Sequence, residues 1–237
     1  MKKETKNKSV IVTGASKGIG KYIVEQLLSS GYFVYGCARS NIDLNHKNYL
    51  HHQVDITNER EIVDMFKSIR NDSNPPLYGM INNAGIASMN HCMLMPSKTV
   101  KNIFEVNFNG TFICSREASK IMKNYKVGRI INFSTIAVPM FLDGESVYAA
   151  SKSAIETFSK SFAKEVSRFG ITVNIIGPNP IKTDLIKNVK NEKLENIIQQ
   201  QTIKRFGTFE DIMNVVNFYL DKNSDMITGQ KIYLGGL

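Results

Sequence analysis

The sequence has few of the residues on which disulfide frameworks and metal sites depend. Its 237 residues include three cysteines, Cys37, Cys92 and Cys114, and four histidines. The cysteine count is odd, and neither residue type shows the spacing of a metal motif. We therefore expect reduced thiols and no metal site.

Long apolar runs are also missing. No stretch approaches the roughly 20 apolar residues that a membrane-spanning helix needs. The lysine-rich start, Met1 to Lys8, is followed by the strand-like run Ser9 to Val12. A signal peptide would instead continue with an apolar core and a cleavage site of small residues. We therefore expect a cytoplasmic protein without a membrane partner.

Acidic residues are fewer than basic ones, 21 against 30, which leaves a net charge of +9. Such a charge can mark a nucleic-acid-binding protein. The lysines are spread along the chain, however, and no cation cluster with exposed aromatic residues is present, so we expect no nucleic-acid partner. Two interpretations stay open: a solvated basic surface, or attraction to an anionic ligand such as a phosphorylated cofactor, an acyl carrier or an acidic metabolite.

Strand-like and helix-like runs alternate along the chain, without an internal repeat or a long linker. Strands are predicted at 10–12, 32–37, 77–81, 129–133, 171–176 and 231–234, and a further short strand is predicted to end at Val54-Asp55. Helices are predicted at 19–30, 58–70, 97–124, 147–168, 184–201 and 208–220. This alternation predicts an α/β fold, a doubly wound Rossmann parallel sheet with helices on both faces in a single domain spanning 1–237. We expect a cofactor half at about 8–140 and a substrate flap at about 184–201.

A glycine-rich turn lies between the first strand and the first helix. It reads Thr13-Gly14-Ala15-Ser16-Lys17-Gly18-Ile19-Gly20. Gly14 permits a tight exit from the strand, Gly18 lets the backbone approach a pyrophosphate, and Gly20 lets the helix pack closely on the sheet. The helix N-terminus then offers free N–H groups to phosphate. The turn therefore predicts a dinucleotide site.

The ends of the next two strands bear on which dinucleotide binds. An NAD site places Asp or Glu at the end of the second strand to hold the ribose 2′-hydroxyl. This chain has Arg39 and Ser40 there, and Arg39 would pair with a 2′-phosphate, with Lys17 as a second cation. We therefore expect NADP(H). Asp55 and Ile56, after the third strand, are predicted to meet the adenine.

Two further motifs lie at the predicted site. The fourth strand ends in Asn82-Asn83-Ala84-Gly85, whose small residues would let the backbone lie close to the cofactor ribose. Tyr148 and Lys152 are four residues apart, and so lie on one face of a helix. A neighbouring ammonium favours the phenolate and lowers the tyrosine pKa from its ordinary value of about 10. Tyr148 thereby becomes a candidate general acid or base.

Taken together, these motifs resemble the short-chain dehydrogenase/reductase family in its compact single-domain form. The resemblance is carried in order by the glycine turn, Asn82-Asn83-Ala84-Gly85, Asn107, Ser134-Thr135, Tyr148-Ala149-Ala150-Ser151-Lys152, Ile227-Thr228-Gly229-Gln230 and Gly235-Gly236. It implies that Tyr148 is the proton donor or acceptor and that Lys152 lowers its pKa and holds the nicotinamide ribose. It further implies that a hydroxyl side chain steadies the substrate oxygen, and that Asn107, predicted to lie in the middle of a helix, holds a water of a proton relay.

The chain departs from the family pattern at two places. The family's serine, thirteen residues before the tyrosine, corresponds to Thr135, so we expect Thr135 to supply the hydroxyl, with Ser134 as the alternative. After the sixth strand the chain reads Pro178-Asn179-Pro180-Ile181-Lys182-Thr183. Asn179 replaces a glycine, and asparagine tolerates a positive φ better than most residues. We expect Pro178, Ile181 and Thr183 to keep their contacts with the nicotinamide.

The C-terminal half is most similar to 3-oxoacyl-[acyl-carrier-protein] reductases, through Arg205-Phe206-Gly207, Glu210-Asp211-Ile212 and Ile227-Thr228-Gly229-Gln230. The resemblance implies an NADPH-dependent carbonyl reductase or alcohol dehydrogenase, and the basic chain would suit an acidic carrier protein. Two alternatives stay open: a substrate that is a sugar, a polyol or a surface-polysaccharide precursor, or a cofactor-binding regulatory protein without turnover. The resemblance also implies a homodimer or homotetramer built partly from the helices of Asn107 and Tyr148.

Overall fold

The computed structural model describes residues 5, 7–187 and 189–236. Its centre is a sheet of seven parallel strands in the order β3-β2-β1-β4-β5-β6-β7. The strands are β1 (Ser9–Thr13), β2 (Phe33–Ala38), β3 (Tyr49–Gln53), β4 (Leu77–Asn82), β5 (Gly128–Phe133), β6 (Ile171–Gly177) and β7 (Lys231–Tyr233). This is the predicted Rossmann arrangement, and its strand order reverses between β1 and β4.

Helices cover both faces of the sheet. They are α1 (Gly18–Ser29), α2 (Glu59–Asn71), α3 (Ser97–Phe104), α4 (Gly110–Met122), α5 (Ala137–Met140), α6 (Ser146–Val166), α7 (Asn191–Gln199) and α8 (Phe209–Leu220). One apolar core joins α2, α4 and α6 to the sheet, and a second joins α1 and α8 to its other face.

The central strand β1 is buried along its whole length because both of its faces are covered by helices. All five residues of β1 are buried, and successive side chains enter opposite cores. Val10 and Val12 pack beneath α1 and α8, whereas Ile11 packs beneath α2 and α4. A strand covered on both faces therefore appears in the sequence as a short, mostly apolar run.

Two predicted helices differ from the observed ones. The predicted helix at 97–124 is divided by a π-helical segment, Glu105–Asn109, between α3 and α4. The predicted helix at 184–201 is wrong in its first half, since only Asn191–Gln199 is helical and residues 184–187 form turns. Leu185 and Ile186 line a cavity rather than the apolar stripe of a helix. Position 188 lies outside the described residues.

The three cysteines are free thiols, with Cys37 and Cys114 buried and Cys92 exposed. Among the residues that the structure describes, no helix is long and apolar enough to cross a membrane.

Candidate active site

The glycine turn leaves the end of β1 and leads directly into α1. Gly14 and Gly18 have positive φ values of 69° and 55°, which favour glycine. A side chain at Gly14 would come within 2.8 Å of Asn83 Nδ2, and one at Gly20 would collide with the carbonyl oxygen of Gly14. A side chain at Gly18 would meet only Thr183, so Gly18 leaves open space beside the turn.

The N-terminus of α1 is suited to a phosphate group. No side chain caps it, and its first turn contains no acidic residue. Its first N–H groups therefore have neither a side-chain capping oxygen nor a carboxylate of their own turn to compete with an anion. Ser16 is half-buried within the turn, and Ile19 lines the adjoining cavity. These features fit a pyrophosphate between Gly14 and Gly20.

The two cations predicted to hold a 2′-phosphate are both exposed, but they differ in their surroundings. Lys17 Nζ lies 2.7 Å from Asp184 Oδ2, at the start of the predicted flap. Arg39 follows β2 directly, and its guanidinium has no hydrogen-bond or ion-pair partner within the described part of the chain. Ser40 is exposed beside it. Arg39 is therefore the cation that is available to an incoming phosphate.

The residues after β3 and β4 are held in different ways. Asp55 Oδ1 accepts hydrogen bonds from the N–H and the hydroxyl of Thr57, at 3.0 and 2.8 Å. Ile56 belongs to the core, where it packs against Gly110. The side chain of Ile56 is thus used for packing, and only its backbone is left for contact with an adenine.

Asn83 and Ala84 fasten the end of β4 to the end of β1. Asn83 Nδ2 donates to the carbonyl oxygen of Thr13 at 2.9 Å, and the N–H of Ala84 donates to Thr13 Oγ1 at 3.1 Å. A side chain at Gly85 would lie 3.2 Å from Asn107 Oδ1 and 3.3 Å from Lys152 Nζ. The absence of a Cβ at Gly85 therefore lets the side chains of Asn107 and Lys152 approach the backbone of Gly85.

A cavity opens at the carboxyl ends of β4, β5 and β6, with an empty volume of about 970 Å³ that includes space open to solvent. It brings together nine of the predicted site residues. These are Ile19, Asn83, Gly85, Thr135, Tyr148, Lys152, Pro178, Ile181 and Thr183. The other predicted residues, Gly14, Ser16, Lys17, Gly18, Gly20, Arg39, Ser40, Asp55, Ile56, Ala84 and Asn107, lie outside this lining.

Tyr148 and Lys152 are both buried at the base of the cavity. Lys152 Nζ donates to the carbonyl oxygen of Phe133 at 2.8 Å. Burial raises the pKa of Tyr148 above its ordinary value, the charge of Glu145 raises it further, and a hydrogen bond with Thr135 lowers it. Burial lowers the pKa of Lys152 to about 8. The lowered tyrosine pKa expected from the sequence is thus absent here, because desolvation of the phenol is the largest effect.

The two neighbouring hydroxyls at the end of β5 make different contacts. Thr135 lies near Tyr148 inside the cavity, where its hydroxyl lowers the pKa of the phenol. Ser134 Oγ donates instead to Glu156 Oε1 at 2.6 Å, and Ser134 is only 3% exposed. Thr135 is therefore the hydroxyl that lies beside the phenol.

Asn107 lies in the π-helical segment rather than in the middle of an α-helix. It is fully buried, and its side-chain amide bonds both the N–H and the carbonyl oxygen of Ile86, each at 2.9 Å. Its Nδ2 also donates to Ser151 Oγ at 3.0 Å. Short π-helical segments are frequent at functional sites. Here the segment ties the loop after β4 to the helix of Tyr148.

Comparison with known proteins decides the family. The family model described as short chain dehydrogenase matches residues 8–194. The 3-oxoacyl-[acyl-carrier-protein] reductase FabG of Buchnera aphidicola is 34% identical over 236 residues, which cover 97% of this chain and 96% of that protein. The FabG of Escherichia coli K12 is 31% identical over 242 residues, with the same two coverages. This chain belongs to the short-chain dehydrogenase family. It is an oxidoreductase that acts on CH–OH and C=O groups.

Solved structures agree with this short-chain dehydrogenase assignment. ElxO with NADP bound superposes with a TM-score of 0.88 at 25% identity, covering 96% of this chain and 97% of that one. A short-chain dehydrogenase from Leptospira borgpetersenii with bound NAD⁺ superposes with a TM-score of 0.89 at 28% identity. The match covers 99% of this chain and 94% of that one. The aldohexose dehydrogenase of Thermoplasma acidophilum superposes with a TM-score of 0.88 at 26% identity, covering 99% of this chain and 95% of that one.

Asn179 departs from the short-chain dehydrogenase pattern in a way that the sequence did not predict. It does not have the positive φ expected from a replaced glycine, since only Lys126 and Phe141 do so among the described non-glycine residues. Asn179 is buried, and its Nδ2 donates to Gln201 Oε1 at 2.9 Å and to the carbonyl oxygen of Arg205 at 3.1 Å. The asparagine thus ties the loop after β6 to the segment after α7.

Sequence reasoning missed one acidic residue of this short-chain dehydrogenase site. Glu145 lines the cavity and is only 8% exposed. It precedes α6 directly and lies three residues before Tyr148, which places it on the same helical face. The three-residue spacing between Glu145 and Tyr148 was the signal in the sequence that could have identified Glu145 as a site residue. Burial raises the pKa of Glu145, and the charge of Lys193 opposes that rise.

Proposed function

We propose that this chain is an NADP(H)-dependent carbonyl reductase in which Tyr148 exchanges a proton with the substrate oxygen. The observation that carries the proposal is the presence of Thr135, Tyr148 and Lys152 in one cavity, next to the glycine turn that fits a pyrophosphate. Asn107, tied to Ile86 and Ser151, holds the surrounding backbone in place and is proposed to bind the relay water.

Bound NADPH would supply the hydride. Tyr148 donates its proton to the carbonyl oxygen, and its raised pKa keeps that proton in place before the reaction. The Thr135 hydroxyl hydrogen-bonds the same oxygen as negative charge develops on it. Lys152, one helical turn from Tyr148, offsets the phenolate charge that forms when the proton leaves.

The preference for NADP(H) over NAD(H) rests on Arg39. It occupies the end of β2, where an NAD site places a carboxylate, and its guanidinium has no partner in the described part of the chain. The NADP-bound ElxO supports this choice. The NAD⁺-bound enzyme from Leptospira shows that both cofactors occur among similar folds.

Two substrate classes are supported by different observations. The relatives named 3-oxoacyl-[acyl-carrier-protein] reductase favour a 3-oxoacyl thioester, and the net charge of +9 suits an acidic carrier protein. The buried carboxyl group of Glu145 favours a carbonyl compound that also carries a hydroxyl group.

The decisive experiment measures NADPH oxidation with a panel of 3-oxoacyl thioesters, sugars and simple ketones. Tyr148→Phe is expected to abolish turnover while the Kd for NADPH changes little, because only the proton donor is removed. Tyr125→Phe is the matched control, since Tyr125 is 54% exposed. Retained turnover in Tyr148→Phe would refute the proposed role of Tyr148. NADPH binding by the wild type without turnover of any substrate would favour the regulatory alternative.

The proposal includes a homo-oligomer, a dimer or tetramer, in the cytoplasm. The oligomer is supported by an aromatic residue of α4 that stays partly exposed beside α6. Phe158 of α6 lies 5.7 Å, between ring centroids, from Phe112 of α4, whose side chain is 37% exposed. A single domain with a cofactor half at about 8–140 and a substrate flap at about 184–201 is part of the same proposal. A monomer measured by light scattering would refute the oligomer.

A further inference from the structure

Glu145 places a carboxyl group in the cavity beside Tyr148. It lies one helical turn before Tyr148 and lines the same cavity as Thr135. Glu145 is only 8% exposed, and its charge raises the pKa of Tyr148, so the two groups are within electrostatic reach of each other. A substrate whose carbonyl meets Tyr148 therefore lies close to this acid.

The carboxyl group of Glu145 has no partner among the described residues. The backbone of Glu145 is satisfied, since its N–H donates to the carbonyl oxygen of Leu142 at 3.1 Å and its own carbonyl oxygen accepts from Ala149 at 2.7 Å. Its side chain does not cap α6. Lys193, whose charge lowers the pKa of Glu145, donates from its Nζ to the carbonyl oxygen of Asp143 at 2.5 Å and, in the described ranges of the chain, makes no ion pair with Glu145. The carboxyl oxygens are not among the sealed polar atoms of the described residues, so they open to the cavity, where a ligand can donate a hydrogen bond to them.

Two other polar groups that line the cavity already have protein partners. Ser134 donates to Glu156, and Lys152 donates to the carbonyl oxygen of Phe133. Much of the remaining lining is apolar, and it includes Ala87, Met89, Leu142, Ile186, Val189 and Ile197. Pockets of this kind set specificity through a small number of polar groups. Glu145 is the one acid in the lining formed by the described residues.

We propose that Glu145 is a specificity-determining residue that accepts a hydrogen bond from a hydroxyl group next to the reacting carbonyl, so that the substrate class is a hydroxylated carbonyl compound. This inference rests on the proposed carbonyl reductase function. A substrate hydroxyl group donates a hydrogen bond to the carboxyl group of Glu145. An unsubstituted acyl chain would shield that carboxyl group from water and offer it no hydrogen-bond donor. A site built to bond a hydroxyl group strongly rejects the analogue that lacks it.

The test compares hydroxyacetone with butanone, which replaces the hydroxyl group with a methyl group of similar size. In the wild type, kcat/KM for NADPH-dependent reduction is expected to favour hydroxyacetone by at least about tenfold. Glu145→Leu should remove that preference, and Glu145→Gln should keep part of it, because the amide oxygen still accepts a hydrogen bond. Asp143→Asn is the matched control, since it removes a negative charge from the same loop at an exposed position.

Binding of NADPH, followed by its fluorescence, checks that each variant is folded, and the absence of tryptophan keeps the protein's own signal low. If the wild type reduces both ketones and Glu145→Leu leaves their ratio unchanged, the role of Glu145 is refuted while the carbonyl reductase function stands. A wild-type preference for butanone would refute it equally. If the wild type binds NADPH but reduces no ketone, sugar or 3-oxoacyl thioester, the proposed function itself fails.

Discussion

Ser134 and Thr135 are adjacent hydroxyl residues whose replacement should separate stability from catalysis. Ser134 Oγ donates at 2.6 Å to the carboxylate of Glu156, which is only 5% exposed and also accepts from Lys231 Nζ at 2.9 Å and from the hydroxyl of Tyr233. Ser134→Ala removes one hydrogen bond to a buried charged group, which costs about 1.5–3 kcal/mol. For a chain of this size the Tm should fall by roughly 3–12 °C, with kcat changing little.

Thr135→Ala should instead lower kcat strongly and change the Tm little. The Thr135 hydroxyl lies beside Tyr148 and is proposed to bond the substrate oxygen in the transition state. Loss of one such donor lowers kcat by about 10²–10³, which corresponds to roughly 3–4 kcal/mol. The structural loss is smaller, since Thr135 Oγ1 otherwise accepts only a 3.2 Å bond from the N–H of Ala137, worth about 1 kcal/mol.

Three measurements on each variant distinguish these effects: kcat for NADPH oxidation at saturating substrate, the Kd for NADPH, and the Tm. Thr135→Ser is the matched control, because it keeps the hydroxyl and should keep kcat within about tenfold. If Ser134→Ala loses about a hundredfold in kcat at an unchanged Tm, and Thr135→Ala keeps its activity, the assignment of the two hydroxyls is wrong.

Three further predictions concern the charged groups of the site. Arg39→Asp should raise the KM for NADPH by about 10–100-fold and leave that for NADH nearly unchanged, and an unaltered NADPH/NADH ratio would exclude Arg39 as the phosphate ligand. Asp184→Asn should free Lys17 and lower the Kd for NADPH about threefold at low salt. An unchanged Kd would show that the Lys17–Asp184 ion pair does not compete with the phosphate. Burial lowers the pKa of Lys152 from 10.5 to about 8, so the unfolded state binds more protons between these values. The free energy of unfolding should therefore rise with pH across that window, by on the order of 3 kcal/mol, and a Tm–pH curve of Lys152→Met that keeps this rise would contradict the reasoning.

The sheet could be predicted from sequence because its strands depend on local apolar runs. Every residue of β1, β2 and β4 is buried, and each run ends in small or polar residues at the carboxyl edge. The glycine turn and Asn82-Asn83-Ala84-Gly85 follow such ends directly. Parallel strands bring their carboxyl ends to one edge, so the motifs had to converge there.

The segment after Thr183 could not be predicted, because long-range contacts decide it. Leu185 and Ile186 begin the run at 184–201 that has the apolar spacing of an amphipathic helix, yet they line the cavity. Asp184 forms an ion pair with Lys17, which lies 167 positions earlier in the chain. The conformation at Asn179 likewise follows from its bonds to Gln201 and Arg205, which no local pattern reveals.

Tyr148 and Lys152 show how burial alters an argument made from sequence. Their spacing suggests that the ammonium lowers the phenol pKa, but desolvation disfavours the charged form of each group. It therefore raises the pKa of Tyr148 and lowers that of Lys152 to about 8, which is close to neutral pH. A phenol that keeps its proton is suited to donate it to a carbonyl oxygen, whereas alcohol oxidation requires the phenolate. The buried phenol is therefore in its protonated form, which is the form that the proposed carbonyl reduction requires.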